Sequence, residues 1–173
     1  CVFNDLAYTA INLLNQKLVS KILILDLDVH QGDGTIDICN KYSSIYTCSI
    51  HSKSNFPYEK KQGWMDVSLA SAIGDDEYLE TLNKTLKLIH EQITPDIVLY
   101  DAGVDVFSND KLGNLKLSFD GIKKRDQLVL DHYRDKNIPV ATVIGGGYSK
   151  DHAELADRHS IIFDVALKYL KKK

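Results

Sequence analysis

Residues 22–35 read ILILDLDVHQGDGT. The four apolar residues at the start predict a strand that is buried on both faces, which is typical of parallel sheets. Asp26, Asp28 and His30 follow at alternate positions, so an extended backbone points their side chains to one side, just past the end of the strand. In open α/β sheets, ligands bind at this end of the strands. The segment therefore predicts a strand that delivers polar side chains to a binding site.

Strand-like and helix-like segments alternate along the rest of the chain. Three helices are predicted to begin at Asn4 or Asp5, at Asp75 or Asp76, and at Ser118, whose side chains can cap a helix. The predicted strands span residues 21–28, 45–50, 65–69, 96–100 and 139–144, and the predicted helices span residues 6–17, 35–42, 75–92, 118–135 and 151–171. This alternation predicts an α/β fold with a mostly parallel sheet and helices on both faces, in one domain over residues 1–173.

Polar residues follow each of the four main predicted strands. Because the carboxyl ends of parallel strands meet at the same edge of a sheet, these residues are expected to converge on one site. They are Asp28 with His30, His51, Asp101 with Asp105, and Gly145–Tyr148.

Asp28 and His30 offer an oxygen and a nitrogen ligand to one divalent metal ion. A catalytic zinc site takes three protein ligands and leaves a position for water or substrate. Asp105 is the best third ligand, and Asp101 is the alternative. A metal ion bound here would polarise a carbonyl group and lower the pKa of its bound water to about 7.

Three glycines at 145–147 precede Tyr148. Glycine lets the backbone approach closely, so the tyrosine hydroxyl could reach the site and donate a hydrogen bond to an oxyanion. Asp26 and Asp33 are not needed as metal ligands, and carboxylates of this kind commonly orient a histidine through its second nitrogen. The role of His51 stays open, whereas a structural role is expected for the remaining histidines, at positions 90, 132, 152 and 159.

The composition excludes several classes of protein. The net charge is −3, which argues against a nucleic-acid-binding surface. No apolar run approaches the ~20 residues that span a bilayer, and no signal peptide is recognisable. Three cysteines without CxxC spacing favour reduced thiols in a cytoplasmic protein. The first residue is Cys1 rather than Met, which indicates that the sequence begins inside a longer protein.

Three motifs together resemble those of the zinc-dependent histone deacetylase superfamily. Residues 26–35, DLDVHQGDGT, resemble its metal-binding signature, residues 102–105, AGVD, resemble its later metal-aspartate motif, and residues 145–148, GGGY, resemble its catalytic-tyrosine motif. The motifs occur in the family's order, and the resemblance covers essentially the whole chain. Residues 100–115, with GIKKRD at 121–126, look most like the class IV branch and its bacterial relatives.

The resemblance implies a fold and a set of site residues. The fold would be the parallel α/β domain that deacetylases share with arginases. The zinc ligands would be Asp28, His30 and Asp105, Tyr148 would be the oxyanion donor, and Phe56 would match a wall of the acyl-lysine channel. A monovalent cation, K⁺, would bind beside the metal at Asp26, Asp28, His30, Ser49 and Ile50.

The family also carries a His-His pair upstream of the segment that this sequence matches. One histidine serves as general base, and the pair contacts the acids that match Asp26 and Asp33. The resemblance therefore predicts a deacetylase-type domain that lacks its N-terminal part. The missing segment could act in trans, and little activity is expected of this chain by itself.

The resemblance implies a zinc-dependent amide hydrolase that removes an acyl group from an acyl-lysine protein or an acetylpolyamine. One alternative is a haloacid-dehalogenase-like phosphatase, with Asp26 as nucleophile, Asp28 as general acid and Gly74–Asp76 as its magnesium motif. Another is a non-catalytic remnant or a metal-binding module. The predicted partners include neither a nucleic acid nor a membrane.

Overall fold

The structure is a computed structural model that describes residues 3–170. It confirms the predicted alternation of strands and helices, including the short strand at residues 65–69. The elements are α1 (Asp5–Asn15), β1 (Ile22–Asp26), α2 (Asp33–Cys39), β2 (Ile45–Ser52), β3 (Met65–Leu69), α3 (Asp75–Gln92), β4 (Ile97–Asp101), α4 (Phe119–Arg134), β5 (Val140–Val143) and α5 (His152–Leu170).

The five strands form one sheet in the order β3-β2-β1-β4-β5, and every pairing is parallel. β1 lies at the centre, with Asp26 opposite Ser49 on β2 and opposite Asp101 on β4. The carboxyl ends of β1, β2 and β4 therefore meet at one edge. This arrangement brings the loops that follow these strands together, as the sequence predicts.

Helices cover both faces of the sheet. Leu23 and Leu25 belong to the large core with α3, α4 and α5, whereas Ile22 and Ile24 belong to a smaller core with α1 and α2. This division follows from the two-residue period of a strand, which sends successive side chains to opposite faces. All four residues are at most 1% exposed, so β1 is buried on both faces as predicted.

Two of the three predicted helix caps are confirmed. The Asn4 side chain accepts a hydrogen bond from Ala7 N at the start of α1, and Ser118 caps α4. The predicted cap of α3 by Asp75 or Asp76 is wrong, because the N-cap is Gly74. The Asp75 carboxylate instead accepts hydrogen bonds from the Ser118 N–H and hydroxyl, over 2.8 and 2.6 Å, and ties the starts of α3 and α4 together.

Some element ends differ from the prediction. β1 stops at Asp26 rather than Asp28, because Asp28 N–H donates to the Asp26 carboxylate and turns the chain out of the sheet. β2 runs two residues further than predicted, to Ser52. The predicted helix end at Lys171 lies outside the described residues, as does Cys1. Cys39 and Cys48 are free and buried, and no helix within residues 3–170 is long and apolar enough to cross a membrane.

Candidate active site

Three side chains from two loops converge at the carboxyl edge of the sheet. Asp28 and His30 lie on the loop after β1, and Asp105 lies on the loop after β4. Each contributes one ligand atom, and the three atoms lie within 4.8 Å of one another. His30 Nδ1 is 3.0 Å from Asp28 Oδ1 and 3.1 Å from Asp105 Oδ2. We call these three residues the metal group.

The hydrogen bonding within the metal group leaves one buried carboxylate oxygen poorly satisfied. One ring nitrogen of His30 faces two carboxylate oxygens, and a single N–H cannot donate well to both. Asp105 Oδ2 is buried and has no well-aligned hydrogen bond among the described residues. Its other oxygen is satisfied, since Asp105 Oδ1 accepts from Val29 N–H over 2.8 Å. Two carboxylates and one imidazole suit Zn²⁺, which binds nitrogen and oxygen ligands and accepts three protein ligands at a catalytic site.

The charge around the metal group also favours a cation. Burial, with the nearby carboxylates, raises the pKa of Asp26 well above its ordinary value and that of Asp101 to about 7. Burial likewise raises the pKa of Asp105 to about 7, although its contact with His30 opposes this. Burial disfavours the Asp28 anion too, but hydrogen bonds from His30 bring its pKa below the ordinary value. The carboxylates of Asp105 and Asp28 in turn raise the pKa of His30 to about 10.

Asp101, the alternative third ligand, is not a member of the metal group. It ends β4, and its Oδ1 accepts a hydrogen bond from Gly103 N–H over 3.0 Å. Asp105 lies further along the same loop, and Asp101 shapes the turn that leads to it. The geometry therefore supports Asp105 rather than Asp101 as the third ligand.

The glycine segment after β5 lies directly against the metal group. Gly145 has a φ of +58°, a left-handed conformation that disfavours other residues. Gly146 N–H donates to Asp28 Oδ2 over 3.0 Å, and Gly146 carbonyl accepts from Val104 N–H over 2.7 Å. A Cβ at Gly146 would overlap carboxylate oxygens of both Asp28 and Asp105. The main chain at Gly146 therefore lies close to the metal group, as the three glycines predict.

Tyr148 reaches the same site. Its side chain lines a cleft of about 370 Å³ together with His30, Asn55, Phe56 and Leu112. Burial, followed by the carboxylates of Asp105 and Asp28, raises the pKa of the Tyr148 hydroxyl above its ordinary value. The hydroxyl is therefore protonated at neutral pH and able to donate a hydrogen bond. Phe56, named as a channel wall, lies in this cleft as well.

Asp26 is the last residue of β1, and Asp33 is the first residue of α2. Asp26 is buried, and within residues 3–170 no histidine forms an ion pair with either acid. Their predicted role beside a histidine pair stays a prediction.

The predicted monovalent-cation site also stays a prediction. Ser49 lies opposite Asp26, and its hydroxyl is 3.0 Å from His51 Nδ1, while Ile50 is buried in the core. His51 itself is fully buried, and its other nitrogen is 3.2 Å from the Ser68 hydroxyl. Both ring nitrogens of His51 are thus engaged within the sheet, which answers the open question on this residue in favour of a structural role.

Arg125 is the main supporting residue that the sequence analysis missed. It is fully buried on α4, pairs with Asp126 at 2.9 Å, and donates to three carbonyl groups of the site loops. These are Gly103 at 2.6 Å, Ala102 at 3.1 Å and Leu27 at 3.3 Å. A signal existed, because an arginine at 125 lies at helical spacing between Ile122 and Val129, on the apolar stripe of α4.

Known proteins with similar sequences include histone deacetylases. Residues 1–161 match the histone deacetylase domain. The chain is 42% identical over 166 residues to an uncharacterized protein of Picosynechococcus sp., covering 96% of this chain and 55% of that protein. It is 32% identical over 158 residues to histone deacetylase 2 of Arabidopsis thaliana, covering 90% of this chain and 41% of that one.

The fold matches as well. A crystal structure of an HDAC homolog complexed with SAHA superposes with a TM-score of 0.80 at 25% identity, covering 95% of this chain and 46% of that one. The chain spans about half the length of the relatives it matches. The comparisons do not favour a phosphatase, and Asp75 of the supposed magnesium motif is bound to Ser118. The parallel sheet with its flanking helices is the arginase/deacetylase-like α/β fold, and the chain belongs to the histone deacetylase family.

Proposed function

We propose that this chain forms the metal-binding and oxyanion-binding part of a zinc-dependent deacylase. The substrate would be the acyl amide of an acyl-lysine side chain or of an acetylpolyamine. The observation that carries the proposal is that the metal group and Tyr148 share one cleft, since His30 belongs to the metal group and also lines the cleft with Tyr148.

Each part of the cleft has a place in amide hydrolysis. Zn²⁺ held by Asp28, His30 and Asp105 would polarise the amide carbonyl and lower the pKa of a bound water. The Tyr148 hydroxyl would donate a hydrogen bond to the oxyanion that forms when water adds to the carbonyl carbon. Phe56 and Leu112 would line the path of the apolar part of a lysine side chain.

The proposed reaction also needs a general base. Asp26 and Asp33 are proposed to orient a histidine pair of the longer family domain, and within residues 3–170 no histidine forms an ion pair with either acid. Loss of general acid–base catalysis costs about 10²–10⁴-fold in rate, so we expect weak turnover from this chain unless the segment with the histidine pair is supplied in trans. Asp26, Asp28, His30, Ser49 and Ile50 are proposed to hold K⁺. The two buried free cysteines support a reducing, cytoplasmic compartment.

Zinc binding is the first test, because it does not depend on turnover. The metal-free chain should take up one Zn²⁺ with high affinity. Asp105→Asn should lower the affinity by more than the roughly 10–100-fold typical of losing an outer-shell partner. Asp101→Asn is the matched control and should lower it far less. Competition with a chromophoric chelator measures both. Equal losses would remove Asp105 from the ligand set, and absence of zinc uptake would overturn the proposal.

Deacylation is the second test. The zinc-loaded chain is assayed on an acetyl-lysine peptide and on an acetylpolyamine at high enzyme concentration. Tyr148→Phe should reduce any turnover by about 10²–10³-fold, the usual cost of losing an oxyanion donor, with zinc affinity unchanged. Tyr8→Phe, on the exposed face of α1, is the control and should have no effect. Turnover as fast as that of a full-length relative would refute the assigned need for an additional base.

A further inference from the structure

Two buried charged residues outside the metal group hold the main chain of Tyr148. Asp110 lies in the segment between β4 and α4, and Arg158 lies on α5. Their side chains are fully buried, with Arg158 Nη1 3.2 Å from Asp110 Oδ2. Tyr148 N–H donates to Asp110 Oδ2 over 2.7 Å, and Arg158 Nη2 donates to the Tyr148 carbonyl over 3.3 Å. Both main-chain polar groups of the tyrosine are therefore bound by one ion pair.

Tyr148 lies in an irregular segment of the chain. Residues 144–151 belong to neither a helix nor a strand, and three glycines precede the tyrosine. Gly146, two residues earlier, donates its N–H to Asp28 of the metal group. Tyr148 is 45% exposed, so its ring is only partly enclosed by neighbouring side chains. The ion pair thus supplies the hydrogen bonds of the Tyr148 main chain.

The Asp110 carboxylate also holds a second wall of the cleft. Asp110 Oδ1 accepts hydrogen bonds from Leu112 N–H over 2.9 Å and from Gly113 N–H over 3.1 Å. Leu112 lines the cleft with Tyr148. One carboxylate therefore binds the backbone of both walls, with one oxygen toward each, and links their separation to its own position.

Stability alone is a weak reason for such a pair. A buried ion pair gains little over well-packed apolar residues of similar volume, because both charges must leave water. Charge-assisted hydrogen bonds to main-chain groups, however, fix geometry more strongly than neutral ones. Arg158 is also held in place, with its guanidinium 4.9 Å from the centre of the Phe107 ring. The pair therefore fixes the positions of the main-chain groups to which it is hydrogen-bonded.

We propose that Asp110 and Arg158 are positioning residues that direct the Tyr148 hydroxyl toward the metal group and set the spacing between Tyr148 and Leu112. The use of that hydroxyl in catalysis rests on the function proposed above. The positioning itself is a property of this chain with or without turnover, which allows the two to be tested separately.

Fluorine NMR tests the positioning directly. The chain is labelled with 3-fluorotyrosine, and the Tyr148 and Tyr169 resonances are assigned from their Phe variants. Asp110→Asn should shift or broaden the Tyr148 resonance and leave Tyr169 unchanged. Asp131→Asn is the matched control, because Asp131 accepts a hydrogen bond from the Tyr169 hydroxyl at 2.7 Å, and it should show the reverse pattern. An unmoved Tyr148 resonance in folded Asp110→Asn would overturn the proposal.

Ligand affinity tests whether the positioning acts through the hydroxyl. SAHA is titrated into the zinc-loaded chain by calorimetry. Asp110→Asn should weaken binding by about 10-fold or more, since a misplacement of ~1 Å can cost about 10²-fold. In the Tyr148→Phe background the same change should cost clearly less, because the part of the loss that acts through the hydroxyl is already gone and only the part that acts through Leu112 remains. An equal loss in both backgrounds would show that Asp110 acts by another route and would overturn this part.

Arg158→Lys covers the case in which Asp110→Asn does not fold. Lysine keeps the positive charge but loses the planar fork that contacts both Asp110 and the Tyr148 carbonyl. It should give a smaller displacement of the Tyr148 resonance in the same direction, and no displacement would contradict the proposal. Failure of zinc uptake or SAHA binding by the unmodified chain would count against the proposed function, while the fluorine spectra would still decide the positioning.

Discussion

Two histidines of this chain, His30 and His132, lie in contrasting surroundings. His30 lies on the loop after β1, and its Nδ1 lies between two carboxylates. His132 lies near the end of α4, against the rings of His90 and Tyr133, and its Nε2 is buried without a hydrogen-bond partner among the described residues. The ring of His30 has anionic neighbours and an accessible cleft, whereas the ring of His132 has aromatic neighbours.

The two environments shift the two pKa values in opposite directions. Asp105 and Asp28 raise the pKa of His30 to about 10. Burial, and then the charges of Lys136 and His90, lower the pKa of His132 to about 4. The neighbours, rather than the histidine itself, decide whether the ring lies between carboxylates, where we propose that it binds zinc, or against other rings on α3 and α4. Only the first histidine stands in an alternating acid pattern, which is why the sequence could separate them.

The contrast between His30 and His132 predicts its largest effect on zinc affinity. His30→Ala should reduce zinc affinity by more than the roughly 10–100-fold cost of an outer-shell loss, because a direct ligand is removed. His132→Ala should leave zinc affinity unchanged. Chelator competition on both variants measures the difference. A similar zinc affinity for the two variants would show that His30 is no more a ligand than His132.

A second prediction concerns the support of the loop that carries His30. Arg125→Met removes three hydrogen bonds to the site loops and leaves Asp126 as a buried unpaired acid. Breaking a buried pair in this way should lower the free energy of unfolding by about 3–5 kcal/mol. Lys124→Met, at the adjacent exposed position, is the control and should leave stability nearly unchanged, because its partner Asp120 is also exposed. Urea denaturation compares them, and equal losses would contradict the assigned support.

The smallest predicted effect is a pH dependence at His132. Its folded pKa lies below the unfolded value of about 6.5, so the unfolded chain binds more protons between these values. The stability from the neutral ring is therefore present above about pH 6.5 and is lost as the pH falls toward 4. The groups that act on the ring are His90 on α3, and Lys136 and Asp135 at the end of α4.

His132→Gln tests this effect, because glutamine does not titrate in this range. The variant should lose less stability than the unmodified chain when the pH is lowered from 7 to 5, as measured by urea midpoints. The other acids are common to both proteins, so they cancel in the comparison. An identical pH dependence would show that the ring is accessible to protons in the folded state.

The elements of the fold were predictable because each has a local signal. The apolar run at 22–25 gave β1, and Asn4 and Ser118 gave two helix starts. The failed cap at Asp75 has a tertiary cause, since its carboxylate is bound by Ser118, 43 residues away. Local preference for a cap was overridden by a contact that no local pattern contains.

The residues of the candidate site also fall into two groups, those with a signal in the local sequence and those without one. Its motif residues follow strand ends, so sequence order and strand direction brought them together. Asp110 and Arg158 were missed because they meet over 48 residues, and no pattern around either residue assigns it a role. The helical spacing of Arg158 between Leu155 and Ile162 marks it as inward-facing on α5, but nothing in the sequence names its partner.

Gly146 carries a consequence for judging relatives of this chain. The space that an alanine methyl would need there is taken by the oxygens of the two acids on either side. A sequence with every metal-group residue intact, but any larger residue at 146, would keep its motif and lose the room in which its acids meet. A comparison of the ligand residues alone would classify such a chain as able to bind the metal. A glycine at this position is therefore as informative as any of the carboxylates.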